Sequence, residues 1–156
     1  MAIVNYRMTS PKVIPLKLET YLAVIKNSVD TCMFRNFYAL VNGKRADIMR
    51  RGDLSCAFFV SFVLTGFSLI NEVHGTVDGT VRDLESSGWK RIRMPRHGCV
   101  IVWKPAVDEK GESHKHIGFY IGKGKAISND YKKGVPRLHP YHSRKVAALY
   151  WNPVLK

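Results

Sequence analysis

Cys56 and His116 are the two residues of this chain whose types and places suit them to do chemistry together. Cys56 heads the apolar stretch Ser55-Cys-Ala-Phe-Phe-Val-Ser-Phe-Val-Leu64, and His116 opens the alternating segment His-Ile-Gly-Phe-Tyr-Ile121. A thiol at a helix start and an imidazole on a later strand are the nucleophile and base of a cysteine-dependent acyl transfer. The free amides and positive dipole end of a first helical turn lower a thiol's pKa, so the placement predicts a stabilised thiolate at Cys56. The Cys56 amide is then the natural donor to a tetrahedral oxyanion. Asp53 and Ser55, just ahead, are the candidates for capping that turn and shaping the oxyanion site.

The other thiols read differently. Cys99, inside Cys-Val-Ile-Val-Trp103, has the surroundings of a core residue, and Cys32 has no partner nearby in sequence. An odd count at positions 32, 56 and 99 gives neither a disulfide framework nor a paired metal motif. Among the histidines, His114 precedes His116 on the same strand face, while His74, His97, His139 and His142 fall in loops. His116 is preferred because it begins the apolar alternation, and Gly118, next on its face, leaves space beside the ring. Gly118, Tyr120 and Trp103 are the candidates for lining a substrate cleft. His114-Lys-His116 with His139 or His142 is a weak metal pattern that no carboxylate or cysteine spacing completes. The expectation is no metal and no cofactor.

A third residue must hold the imidazole in its working tautomer, from a neighbouring strand on the same face. A two-residue hairpin at Lys123-Gly124 would pair Gly122 with Lys125 and set Gly118 opposite Asn129. A three-residue loop would select Ser128. Asn129 is favoured, because its side-chain carbonyl accepts the ring N–H better than a serine hydroxyl.

The elements that position these groups are legible from periodicity. Leu16 to Val29 carries one apolar stripe at helical spacing, and Cys56 to Ile70 is apolar nearly all round, as a buried central helix would be. Gly66 bends or ends it. Val77, Val81 and Leu84 predict a third helix over Thr76 to Ser87, closed by Gly88. Phe34 to Val41 predicts a strand or short helix before an Asn42-Gly43 turn. After Pro95 the pattern turns to strands at 99–103, 116–121, 126–129 and 146–151, with a polar surface loop over Lys104 to Lys115 at the mouth of the site. Helices first and strands after predict an α+β fold with an antiparallel sheet.

With 156 residues and 46% hydrophobic content, the chain reads as a single domain, 1–156, with an N-terminal helical extension (1–45) ahead of the core (50–151). No apolar run approaches the roughly 18 residues of a membrane span. The opening Met-Ala-Ile-Val-Asn-Tyr-Arg lacks the pattern of a signal peptide, so synthesis in the cytoplasm is expected. Twenty-five Lys and Arg against 12 Asp and Glu leave a net charge of +13. Such a surface favours a polyanion, with nucleic acid and an anionic wall polymer fitting equally well.

Ser55-Cys-Ala-Phe-Phe-Val-Ser-Phe-Val, Gly98-Cys-Val-Ile-Val-Trp103 and His116-Ile-Gly-Phe-Tyr-Ile-Gly-Lys-Gly-Lys-Ala-Ile-Ser-Asn129 together resemble the successive signatures of NlpC-type and CHAP-type cysteine peptidases and amidases, the compact papain-like hydrolases of bacterial cell walls. The resemblance covers roughly residues 50 to 130. It implies a papain-like fold and a triad of Cys56, His116 and Asn129 or Ser128. It also implies a peptide or amide substrate in peptidoglycan, reached after non-classical release. Gly98-Cys99 stands where a glycine-aspartate is usual, and Ser55 where an aspartate often precedes the nucleophile.

Overall fold

A computed structural model describes residues 11–156, and among them the chain forms three helices and eight strands. Helix α1 (Lys17–Asn27) is followed by a hairpin of β1 (Tyr38–Val41) and β2 (Lys44–Asp47), then by α2 (Cys56–Gly66) and α3 (Val77–Ser86). The strands β3 (Lys90–Ile92), β4 (Val100–Val107), β5 (Ser113–Gly122), β6 (Lys125–Asp130), β7 (Val135–Pro140) and β8 (Val146–Trp151) complete the order. The last six form one antiparallel sheet, β3-β8-β4-β5-β6-β7. The architecture is α+β. No helix among the described residues is long and apolar enough to cross a membrane.

Period-two alternation divides the sheet into two faces. Val100, Val102, Ile117, Phe119 and Ile127 join the main core with α2, while Cys99, Ile101, Trp103, Ala126 and Leu149 form a second cluster. Helix α2 is buried on most sides, with Phe59, Val60 and Leu64 fully inside, and it packs on β5 and β6. It ends at Gly66. Helix α1 is joined to the same core, because its Tyr21 and Ile25 are fully buried and the Tyr21 hydroxyl donates to the Gly98 carbonyl at 2.9 Å.

Behind α2, Asp83 ties the following loop to α3. Its carboxylate accepts the amides of Asn71 and Glu72 and lies 2.8 Å from His74 Nε2. Burial alone would raise its pKa, but the His74 ring and these amides outweigh it and hold the carboxyl well below the usual carboxylate range. Thr76 caps α3 by accepting the Gly79 amide at 3.1 Å, the short-side-chain cap that Thr supplies at an extended residue.

The β5–β6 register departs from the sequence expectation. Gly122 does pair with Lys125, but Tyr120 then pairs with Ala126 and Gly118 with Ser128, leaving Ile121 as a bulge. One extra residue on one strand shifts every partner by one, so Ser128 rather than Asn129 faces Gly118. The loop expected over Lys104 to Lys115 is also shorter, since β4 continues to Val107 and β5 begins at Ser113. Pro105 sits where β4 changes register between Trp103 and Ala106, the kind of place where a sheet tolerates proline.

Candidate active site

Strand β5 reaches back to Ser113 and β6 on to Asp130, yet their ladder stops at Gly118 and Ser128. The start of α2 meets the sheet at this end. The Ile117 backbone amide acts on the Cys56 thiol, lowering its pKa, and Asn129 Nδ2 donates to the Gly52 carbonyl at 2.6 Å. Gly52 has φ +97° and crosses Gly134 so closely that a Cβ on it would lie 2.5 Å from the Gly134 backbone. A glycine is required at that crossing. The Cys56-bearing turn is thus fixed by backbone against the end of the sheet.

Cys56, His116, Ser128, Asn129 and Asp53 all line one cavity of about 560 Å³. His116 lies opposite Trp103 in the β4–β5 register, its ring 5.3 Å from the indole centroid, and so reaches the cavity from the sheet face away from α2. Among the described residues no hydrogen bond joins the Cys56 sulfur to the His116 ring. Both are on the wall of the same opening. Cys99 is fully buried in the second cluster and Cys32 is exposed, so of the three thiols only Cys56 lines this cavity.

His116 Nε2 lies 2.8 Å from Ser128 Oγ, and the same oxygen lies 2.7 Å from His139 Nε2. His139 Nδ1 in turn lies 2.9 Å from the Pro140 carbonyl, which can only accept. His139 Nδ1 also lies 3.1 Å from Ser143 Oγ, a hydroxyl that can accept as well as donate. With the proton of a neutral His139 on Nδ1, the arrangement that satisfies the Pro140 carbonyl, its Nε2 accepts the Ser128 O–H and Ser128 Oγ accepts the N–H at His116 Nε2. Read to its end, the chain of bonds leaves the lone pair of His116 on Nδ1. Asn129, favoured from the sequence as the ring's partner, instead anchors the turn before α2, and its Oδ1 has no partner among the described residues.

Electrostatics set the resting protonation. Burial pushes the Cys56 thiol up, against the lowering effect of the Ile117 and Ala57 amides and the charge of Arg144. Burial, then Arg144 and His139, push His116 down to about 3. Both shifts favour a neutral thiol and a neutral imidazole. The helix-start amides act in the expected direction, but desolvation exceeds them, so the stabilised thiolate expected from the sequence is corrected to a thiol.

Other expectations need correction. Neither Asp53 nor Ser55 caps α2: Ser55 makes no side-chain cap bond, and its Oγ is buried without a partner among the described residues. Asp53 instead lies 3.7 Å from Lys110 Nζ. Gly118, Tyr120 and Trp103 do not line the cavity. A Cβ on Gly118 would meet Ser128 Cβ at 2.6 Å, so the space left beside His116 is filled by β6. Trp103 is 1% exposed and donates to the Tyr141 carbonyl, forming a floor under the rings of His116 and His139. Tyr120 packs edge-on against Tyr141 and accepts the Gly124 amide.

His139 and Arg144 are the site residues missed from the sequence. His139 sits on β7, whose Pro136 and Pro140 disguise it as a loop; prolines of this kind belong to edge strands, and β7 is an edge. Arg144 carries no local signal. A cation could be held by Asp108, Glu112 and His114, whose ligand atoms lie within 4.8 Å of one another, although Arg50 also pairs with Glu112. No family model matches this chain, and no curated protein matches it significantly.

Proposed function

We propose that this protein is a papain-like cysteine hydrolase that cleaves a peptide or amide bond through a thioester. The observation that carries this is a thiol and an imidazole on the wall of one cavity, with Nε2 of the ring committed to Ser128 and Nδ1 left as the base. Because the resting pair is neutral, His116 Nδ1 takes the thiol proton as the sulfur bonds to the carbonyl carbon. The amide of Cys56, free at the start of α2, donates to the developing oxyanion. Collapse of the tetrahedral species expels the amine, which takes the proton back from His116. Water activated by the same nitrogen then cleaves the thioester.

The resemblance of the Cys56 and His116 segments to NlpC-type and CHAP-type enzymes supports peptidoglycan as the substrate. The net charge of +13 supports attraction to an anionic wall. Incubating wild type and Cys56→Ala with purified peptidoglycan, followed by mass analysis of soluble fragments, tests both points. Fragments released only by wild type are expected. Equal release by the two proteins contradicts the hydrolase.

A further inference from the structure

Four cationic side chains line the cavity, namely Lys115, Lys132, Arg137 and Arg144. Three are already answered by carboxylates: Lys115 by Asp78 at 2.6 Å, Lys132 by Glu109, and Arg137 by Asp30 at 2.6 Å. Among the described residues, Arg144 has no carboxylate within ion-pair range and no hydrogen-bond acceptor for its guanidinium. The acids on the same wall are engaged elsewhere: Asp53 with Lys110, Asp108 with His114, and Asp130 with the amides of Lys132 and Lys133. Arg144 is half-buried, and its charge reaches Cys56, His116 and His139. A partly desolvated guanidinium with five unanswered donors is poised for a planar anion.

Resting on the acyl-transfer reading above, we propose that Arg144 anchors a carboxylate of the substrate beside the scissile amide. A monoanion is the fitting charge, because Asp53, Asp108 and Asp130 on the same walls oppose a dianion such as phosphate. The substrate class is then an amide or peptide carrying a carboxylate close to the bond that is cut.

Iodoacetate and iodoacetamide form a matched probe pair, one anionic and one neutral. In each case the Cys56 sulfur displaces iodide, forming S–CH2 and breaking C–I, while the thiol proton leaves to His116 or solvent. Rates at Cys56 and Cys32 are read separately by mass spectrometry of the full chain. In wild type, iodoacetate labelling of Cys56 is expected to saturate with concentration. The iodoacetate-to-iodoacetamide rate ratio at Cys56 is expected to fall about tenfold in Arg144→Gln, the size of a lost charge-assisted contact. Arg144→Lys should retain part of the preference, and the exposed Cys32 should show the same ratio in all three proteins. Taking a ratio removes any general change in thiol acidity. An unchanged ratio at Cys56 in Arg144→Gln overturns the anchor. If peptidoglycan release still depends on Cys56, the hydrolase survives that result. Failure of Cys56 to react with either reagent overturns both, since a site closed to so small a molecule admits no substrate.

Discussion

At the residue scale, the proposed role of His116 as base rests on a carbonyl at the far end of a relay of three side chains. Pro140 O favours the proton on His139 Nδ1, where Ser143 Oγ can accept it as well, and Ser128 then passes that choice to His116 as an Nε2–H tautomer. Replacing His139 with Leu frees the Ser128 hydroxyl to donate toward His116, which populates the Nδ1–H form with no lone pair for the thiol. Both His139→Leu and Ser128→Ala should lower kcat by about tenfold or more, as loss of a ring-orienting partner does in other triads. His139→Gln, whose amide oxygen can accept, should recover part of it. Imidazole ¹⁵N shifts of His116 provide the decisive measurement: protonation at Nε2 in wild type and a mixture in His139→Leu. An unaltered tautomer in that variant contradicts the relay.

At the element scale, the relay depends on how closely β5 and β6 approach. A Cβ at Gly118 would lie 2.6 Å from Ser128 Cβ, 2.7 Å from the Ile127 carbonyl and 3.0 Å from Trp103, so neither a rotamer change nor a small relaxation accommodates it. Gly118→Ala should cost about 1–3 kcal/mol of stability, the usual range for overpacking. It should also reduce the activity of the still-folded protein more than tenfold, because the displaced strand carries Ser128 away from His116. Denaturant midpoints and kcat measured on the same samples separate the two effects, and full activity in folded Gly118→Ala contradicts the coupling. The same strands show where a sequence reading stops. Periodicity placed α2 and α3 to within a few residues, while β4 was visible as a continuous apolar run because both its faces are buried, and β5 as the alternation that starts at His116. Register was not visible, since the Ile121 bulge leaves no mark in an apolar alternation and turns the choice between Asn129 and Ser128. Capping failed at Asp53 and Ser55 for a related reason: the start of α2 is set by the long-range crossing of Gly52 and Gly134, which local residue types do not reveal.

At the scale of the whole molecule, the neutral site makes the fold sensitive to acid before its carboxylates titrate. His116 is pushed down to about 3 and His139 is also lowered, both first by burial. In the unfolded chain an imidazole titrates near 6.5. Between that pH and the folded values the unfolded state binds protons that the native state refuses, so stability falls as pH falls. Each such group contributes a slope of up to about 1.4 kcal/mol per pH unit. Asp83 acts in a lower window: its depressed pKa contributes stability that is present above the ordinary carboxylate value near 3.9 and lost beneath it. Protonation of other carboxylates then adds self-repulsion to a charge that is already +13. The range from about pH 6.5 to 4.5 therefore isolates the two rings. Over it, stability should decline by a few kcal/mol, a sizeable part of the roughly 5–15 kcal/mol of a typical domain. Urea midpoints at pH 7, 6 and 5 should show this decline in wild type and a flatter trend in His116→Asn, whose side chain takes no proton. A pH-independent midpoint in wild type would mean that the ring is not held neutral, and the proton transfer from thiol to imidazole would then have to begin from an ion pair.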